Sequence, residues 1–518
     1  MTMLNALKND TNLTFTENGA LTHKTTTSNL MDMFAMGAAM RNRAEEDIIL
    51  MWRKAFQENA VYALKCLFYI RDVRGGQGER RFFRTILTDA AKQTDSREAI
   101  RRNMKYIPEF GRWDDLYAFI GTPLQEDALS IMKHQLALDV ECKTPSLLAK
   151  WLKSENASSK ESTRLGNITR NYLGMTHKEY RKVLAALRTR INVLEKLMSE
   201  NRWDEIEFDK IPSKAGLIYK NAFARHDLER MKNENVQSYA DFAKDENTKV
   251  NAGALYPYEV VEKAISLMDP QSYHWGRREK PALDNTDRLM INKYWDNLTD
   301  YFNGATFNAL AMVDTSGSMM GTPMNVAVSL GLYCAEKANG PFANHYISFS
   351  SRPQLIECEG VDFCDKVDRI VATNLCENTN IEVAFNMLLT TARRHKMSQE
   401  DLPQNIIVIS DMEFDHARGH YGHGWGEISD AERRDELQKA NTLMEGIAKT
   451  WAAEGYQVPH LIFWNVNARQ NNIPMLDGGK VSFVSGFSPS IFQSLMTGKS
   501  GYDLMIEVLN KERYACIQ

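Results

Sequence analysis

Apolar positions along the chain change their spacing once, near residue 305. From 29 to 298 they recur every three or four residues, which is the spacing of one helix face. That spacing predicts helices over Leu30–Met51, Ala55–Ile70, Arg80–Lys92, Glu98–Ile107, Trp113–Ile120, Gln125–Val140 and Pro145–Leu152. It predicts further helices over Lys178–Met198, Lys214–Phe223, Arg225–Lys232, Val236–Phe242 and Pro257–Met268. No strong strand alternation is present before residue 305. Paired antiparallel helices of this length fit an α-solenoid of the HEAT type, although no repeat period is clear. From Phe307 onward, short apolar runs alternate with helical stretches. The expected strands are Ala309–Val313, His345–Phe349, Leu355–Cys358, Ile406–Ile409, His460–Trp464 and Val481–Val484. Helices are expected at 323–338, 364–371, 381–395, 429–453 and 489–497. This rhythm predicts a mostly parallel sheet with helices on both faces. The expected fold class is therefore multidomain, α followed by α/β. An extended segment covers 1–28, a helical domain 29–298 and an α/β domain 305–518, with a linker near Asp300 to Thr306.

One apolar run carries the most specific chemistry. Phe307 to Val313 (FNALAMV) reads as a fully buried parallel strand, and it closes in Asp314-Thr315-Ser316-Gly317-Ser318. A strand ending in Asp-x-Ser-x-Ser places a carboxylate and two hydroxyls at the carboxyl edge of a sheet, where open α/β folds hold their ligands. Hard oxygen ligands of this kind suit a small divalent cation that keeps part of its water, Mg²⁺ first and Mn²⁺ second. The competing structural reading is that Ser316 and Ser318 merely cap the following helix. The motif resembles the metal-ion-dependent adhesion site (MIDAS) of von Willebrand factor A domains. That resemblance implies two more ligands, a Thr from a second loop and an Asp from a third. Thr379, before the helical stretch Ile381 to Arg393, and Asp411, after the apolar run Asn405 to Ser410, stand in the implied order. The implied metal set is Asp314, Ser316, Ser318, Thr379 and Asp411. The same resemblance leaves one coordination position for an outside carboxylate, phosphate or water, which makes a binding site and not a hydrolytic one.

Composition adds little to class but something to location. Apolar residues at 43% and charged residues at 25% are ordinary for a globular protein. Met1 to Gly19 lacks the apolar core of a signal peptide, and no run approaches the length of a membrane span. A cytoplasmic protein without membrane contact is expected. Cys66, Cys142, Cys334, Cys358, Cys364, Cys376 and Cys516 are scattered and unpaired in spacing, as reduced thiols are. The net charge of −4 hides an asymmetry: 51–200 holds 27 Lys and Arg against 18 Asp and Glu. Local positive charge is a weak footprint of a polyanion partner, and equally of a solvated helical surface.

Two basic segments lie in that region. In 71–84 (RDVRGGQGERRFFR), Gly75, Gly76 and Gly78 allow a tight turn with exposed amides, surrounded by Arg71, Arg74, Arg80, Arg81 and Arg84. Amides and guanidinium forks together make a phosphate cradle. The alternative is a plain helix-helix turn held by Arg–acid pairs, to Asp72 and Glu79 among others. It is not a P-loop, because neither a preceding strand nor a Gly-Lys-Ser/Thr is present. In 176–196, Thr176 and Glu179 make a capping box, and Tyr180, Val183, Leu184, Leu187, Ile191 and Leu194 form the buried face. Lys178, Arg181 and Lys182 fall on another stripe, able to track a sugar-phosphate backbone or simply to face water. The stretch 411–427 carries Asp411, Glu413, Asp415, His416, His420, His423 and Glu427. His420 and His423 could ligate a transition metal, but a surface loop at the rim of the Asp411 site is the simpler reading.

A helical first half joined to an A-type domain resembles the Ro autoantigen group, whose helical part is the TROVE domain. Thr16 to Ala20, Phe68 to Arg81, Ile211 to Asn221, Tyr256 to Leu267 and Gly486-Phe487 carry the rest of that resemblance, over about 15–512. It implies a HEAT-like helical ring closed by a von Willebrand factor A-type domain with its MIDAS. It also implies binding of small structured noncoding RNA and of single-stranded ends of misfolded RNA, with an exoribonuclease as a further partner. By position His177, Lys178, Arg181 and Lys182 lie in a helix like the one lining the RNA path. No nucleophile–His–acid set or Walker motif is present, so a non-catalytic scaffold is expected. The alternative is an adaptor whose metal clasps a partner's carboxylate.

Overall fold

The computed structural model describes residues 3, 11–268, 285–349, 353–373, 380–415, 441–476 and 480–518. The chain forms two compact units, Met1–Cys66 with Leu255–Arg513, and Leu67–Ala254 with Tyr514–Gln518. The residues expected as one helical half are thereby distributed over both.

The first unit is built on a six-stranded sheet. After a short antiparallel hairpin, β1 (Leu13–Phe15) with β2 (Leu21–His23), come β3 (Ala309–Asp314), β4 (His345–Phe349), β5 (Gln354–Glu357), β6 (Asn405–Ser410), β7 (His460–Asn465) and β8 (Val481–Ser485). The sheet order is β5-β4-β3-β6-β7-β8, parallel throughout except for β5, which pairs antiparallel at the edge. Every residue of β3 and of β8 is buried, as continuous apolar runs covered on both faces must be. Each expected strand of the second half is present within one residue of its expected ends. The helix Thr322–Lys337 lies directly on β3, where a Cβ at Gly331 would sit 2.4 Å from Val313 Cγ2. Strand order reverses between β3 and β6, so their carboxyl ends flank the switch point at which such sheets hold ligands.

Helices from the N-terminal half complete this unit. Asn29–Met36 is buried along almost its whole length, and Ser485 Oγ of β8 donates to Phe34 O at 3.0 Å. Asn285–Asp296 joins Phe363–Thr373 through Arg288 to Asp362 (2.7 and 2.8 Å) and through stacked Trp295 and Phe363 rings 4.1 Å apart.

The second unit is helical. Several expected helices are shorter than their apolar spacing suggests. In the first unit Leu30–Met51 is interrupted between Met36 and Glu45; in the second, Lys178–Met198 divides into His177–Arg190 and Leu194–Ser199 at Asn192, whose φ is 49°. Asn tolerates this left-handed conformation, and apolar residues are buried on either side of the break, Leu184 and Leu187 before it and Leu194 and Leu197 after it. At the heart of the unit, Arg71 is only 2% exposed and donates from Nε and Nη2 to Asp115 Oδ2, both at 2.8 Å. Gly111 makes room for this pair, since a Cβ there would lie 2.3 Å from Asp115 Oδ2. Phe68, Phe83, Phe110 and Tyr514 cluster beside it, and the Tyr514 hydroxyl donates to Asp72 at 3.0 Å. Among the described residues no helix is long and apolar enough to cross a membrane.

Removing one partner of a buried ion pair strands the other charge in the core. Asp115→Ala is therefore expected to destabilise the helical unit by about 3–5 kcal/mol. Urea denaturation followed by circular dichroism measures this, and a loss below about 1 kcal/mol would show that Asp114 and water compensate Arg71.

Candidate functional site

β3 ends in Asp314, and the chain then turns through Thr315 and Ser316 into a short 3-10 turn, Gly317–Met319. Gly321, at φ 86°, lets it enter the helix Thr322–Lys337, and Pro323 stands in that helix's first turn where no amide is needed. Asp314 is completely buried. Its Oδ1 accepts from the Ser316 amide at 2.9 Å, and its Oδ2 accepts from Ser410 Oγ, at the end of β6, at 2.5 Å. Ser316 Oγ and Ser318 Oγ are 3.1 Å apart. Asp411 follows β6 directly and is also buried. Its Oδ1 accepts from the Glu413 amide at 3.2 Å, while its Oδ2 has no hydrogen-bond donor among the described residues and faces Arg469 Nη1 at 3.8 Å. Met412 holds φ 65°, an unusual value for a long side chain, and its amide donates to Ser410 Oγ at 2.9 Å. Tight local bonding of this kind over-determines the turn and fixes where Asp411 points.

Four of the five expected metal ligands thus gather where β3 and β6 end. Thr379, the fifth, lies outside the described residues, as do His416, His420, His423 and Glu427. Asn380 caps the helix Ile381–His395, accepting from the Val383 amide at 3.2 Å. The capping alternative for Ser316 and Ser318 does not match the hydrogen bonds: neither side chain caps the 3-10 turn or the helix.

Two carboxylates buried side by side repel. Burial and the charge of Asp411 push Asp314 up from 3.8 to about 7, and burial raises Asp411 as well. Glu413 is likewise raised to about 7 by burial. A divalent cation would offset this repulsion, and the bare Asp411 Oδ2 is the donor such an ion requires. Among the described residues no three His, Cys, Asp or Glu side chains form a ligand group, so a cation here would meet two carboxylates and would need hydroxyls and water to complete its shell. These residues fit Mg²⁺ or Mn²⁺ in chemistry. Beside them, a cavity of about 280 Å³ is lined by Arg41, Asn42, Thr322, Asn467 and Phe487, with Arg41 stacked 3.5 Å over the Phe487 ring.

The basic candidates divide sharply. Arg71 is locked inside on Asp115, and Arg84 bonds Asp115 at 2.6 Å and Asp114 at 3.0 Å. Arg74 is exposed but donates to Glu109 O at 2.6 Å, Arg81 is half-buried and Arg80 is exposed. The turn amides are engaged as well: those of Gln77, Gly78 and Glu79 donate to the carbonyls of Tyr69, Asp72 and Ile70 at 3.1, 3.0 and 2.8 Å. Segment 71–84 is thus a self-satisfied turn with Arg71 and Arg84 as structural counter-ions, and the expected cradle of open amides is corrected accordingly. The partners are Asp114 and Asp115, some 30 to 44 positions on, not the nearby acids that the sequence offered.

Helix His177–Arg190 is different. Thr176 and Glu179 form the expected capping box, and Tyr180, Leu184 and Leu187 are buried. Lys178, Arg181 and Lys182 are exposed on one stripe, and His177, also exposed, lies 2.9 Å from Glu155. Glu413, already noted in 411–427, and Ser410, Glu17 and Arg469, which were not anticipated, adjoin the Asp314 and Asp411 carboxylates or their loop. Ser410 precedes Asp411 in a strand whose alternation could have shown it. Nothing local marks Glu17 or Arg469.

A family described as a domain of unknown function, DUF2828, matches residues 16–130 and 134–303. The chain belongs to the DUF2828 family. A second domain of unknown function, DUF7788, matches 308–514, so the two matched regions meet just before β3. The uncharacterized protein L728 of Acanthamoeba polyphaga mimivirus is 27% identical over 525 residues, covering 94% of this chain and 85% of that one. Neither matched family is described as a TROVE or von Willebrand factor A domain.

Asp314 and Glu413 hold their protons more tightly in the folded chain than in the unfolded one. Without a cation, stability should therefore fall as pH rises from the ordinary carboxylate range through about 7. In EDTA the melting temperature is expected to be lower at pH 8 than at pH 6, with a flatter slope in Asp314→Asn. An equal slope in the variant would show that other groups set the dependence.

Proposed function

We propose that this DUF2828 protein is a non-catalytic RNA-binding scaffold of the Ro type, acting on small structured RNA or on single-stranded ends of misfolded RNA. The finer architecture of this reading is a HEAT-like helical ring and a von Willebrand factor A-type sheet domain with a MIDAS. It rests on the run of helices in 29–298, on the strand order, and on the Asp314-x-Ser316-x-Ser318 loop facing Asp411. The observation that carries the RNA reading is the stripe of Lys178, Arg181 and Lys182, held on a capped helix with its opposite face buried. Cations spaced by three and four residues on one face can follow successive phosphates, and such contacts supply salt-dependent affinity. Arg80, exposed on the other basic segment, can add to it; Arg71 and Arg84 cannot, because their forks serve Asp114 and Asp115.

In the sheet unit, Asp314, Ser316, Ser318 and Asp411, with Thr379, would hold Mg²⁺ or Mn²⁺. Bound there, the cation supplies a Lewis-acidic position for an anionic oxygen from outside. The chain's own residues set that position: Ser410 orients Asp314, and the Met412 turn orients Asp411. A second reading, an adaptor that clasps a partner's Asp or Glu, is favoured by one observation: Met320 is 62% exposed at the lip of the Ser318 loop, an apolar surface suited to protein.

Reversing the charge at Arg181 and Lys182 is expected to weaken retention of RNA and to lower the slope of log affinity against log salt by about 2, with no change in melting temperature. Filter binding of RNA from the protein's own cells across a salt series measures it. An unchanged slope assigns the stripe to solvent. Asp314→Ala should abolish calorimetric Mn²⁺ binding while leaving the fold intact, and RNA held by the basic stripe should stay when Mg²⁺ is removed, whereas a protein partner that dissociates on its removal would favour the adaptor.

A further inference from the structure

The tip of the N-terminal hairpin is fastened onto the loop that carries Asp411. Thr16 Oγ1 donates to Phe414 O at 2.7 Å, the Glu17 amide donates to Glu413 Oε2 at 2.7 Å, and Asn18 Nδ2 donates to Glu413 O at 2.6 Å. Farther down, His23 exchanges backbone hydrogen bonds with Ile473 at 3.0 and 2.9 Å. The Glu17 carboxylate is paired with Arg469 and accepts from Gln470 Nε2 at 3.3 Å. Arg469 sits in the loop after β7, next to β6, and its other terminal nitrogen is the one 3.8 Å from the undonated Asp411 Oδ2. One guanidinium therefore stands between two carboxylates. One belongs to the hairpin and the other to the candidate cation site.

We propose that Arg469 is a shared counter-charge that sets the affinity of the cation site, and that Glu17 holds it off Asp411. This inference rests on the cation reading above. A divalent ion at Asp411 and a guanidinium at Asp411 compete for the same oxygen and repel each other. Glu17 draws Arg469 to the far side and so favours the ion. Coupling of this kind is reciprocal: loading the ion pushes Arg469 onto Glu17 and tightens the hairpin. Glu17 and Arg469 act through Asp411 and are positioning residues, not ligands. Both side chains are about a third exposed, at 34% and 37%, so substitutions can be made without opening the core.

The test is Mn²⁺ titration of the full chain by calorimetry, in wild type, Glu17→Gln, Arg469→Gln and the double variant. Glu17→Gln should weaken Mn²⁺ severalfold, Arg469→Gln should tighten it severalfold, and the double variant should match Arg469→Gln alone. A merely structural role for the pair would weaken binding in both single variants. Hydrogen exchange gives a second readout: Mn²⁺ should slow the amides of 16–20 in wild type and not in Arg469→Gln. If Mn²⁺ binds and the two variants shift together or not at all, the shared counter-charge is wrong while the cation site stands. If neither wild type nor Arg469→Gln binds Mn²⁺, the cation reading falls and takes this inference with it.

Discussion

Two carboxylates, Asp314 and Asp411, are buried at the neighbouring ends of β3 and β6, and the organisation of the site follows from that constraint. Asp314 and Asp411 are themselves almost wholly buried there, so neither charge can be solvated in the ordinary way. The chain answers with local donors. Ser316 and Ser410 take the two oxygens of Asp314, the Glu413 amide takes one of Asp411, and Arg469 approaches the last. Even so, burial and mutual repulsion keep Asp314 far above the usual carboxylate range. An arrangement that opposes its own ionisation is costly as scaffolding and reasonable as a seat for a cation.

The helical unit shows buried charge resolved in the opposite way. Arg71 and Arg84 meet Asp114 and Asp115, and both signs are present inside. Burial alone would raise Asp114, yet Arg84 and Arg112 hold it below the usual carboxylate range. The pair orders a turn rich in glycine: Gly76 cannot carry a side chain because a Cβ there would lie 1.9 Å from Tyr69 O, and Gly111 is excluded by the ion pair itself. Gly75, Gly76 and Gly78, with the arginines around them, suggested a phosphate cradle from the sequence. A structural salt bridge and a binding patch draw on the same residue types, and only the position of the acids separates them.

The compact units also cross the boundary visible in the sequence. The change of apolar period near 305 is real, and the matched families meet there. Yet Asn29–Met36 and Asn285–Asp296 belong to the sheet unit, whose flanks they cover, and the last residues, Tyr514–Gln518, belong to the helical one. Periodicity reports which side of a helix is buried but carries no information on what buries it.

The sequence by itself determined whatever depends on neighbours a few residues apart. It set the strands as continuous apolar runs, the capping box of Thr176 and Glu179, the buried face of His177–Arg190, and the order in which Asp314, Ser316, Ser318 and Asp411 arrive at strand ends. Tertiary structure alone decided that Arg71 is inside, that Ser410 bonds Asp314 across 96 positions, and that Glu17 reaches Arg469 and Glu413 some four hundred residues away. The physical reason is that helix, strand and cap energies are local, whereas the pairing of a charge is fixed by the topology that brings a distant partner to it.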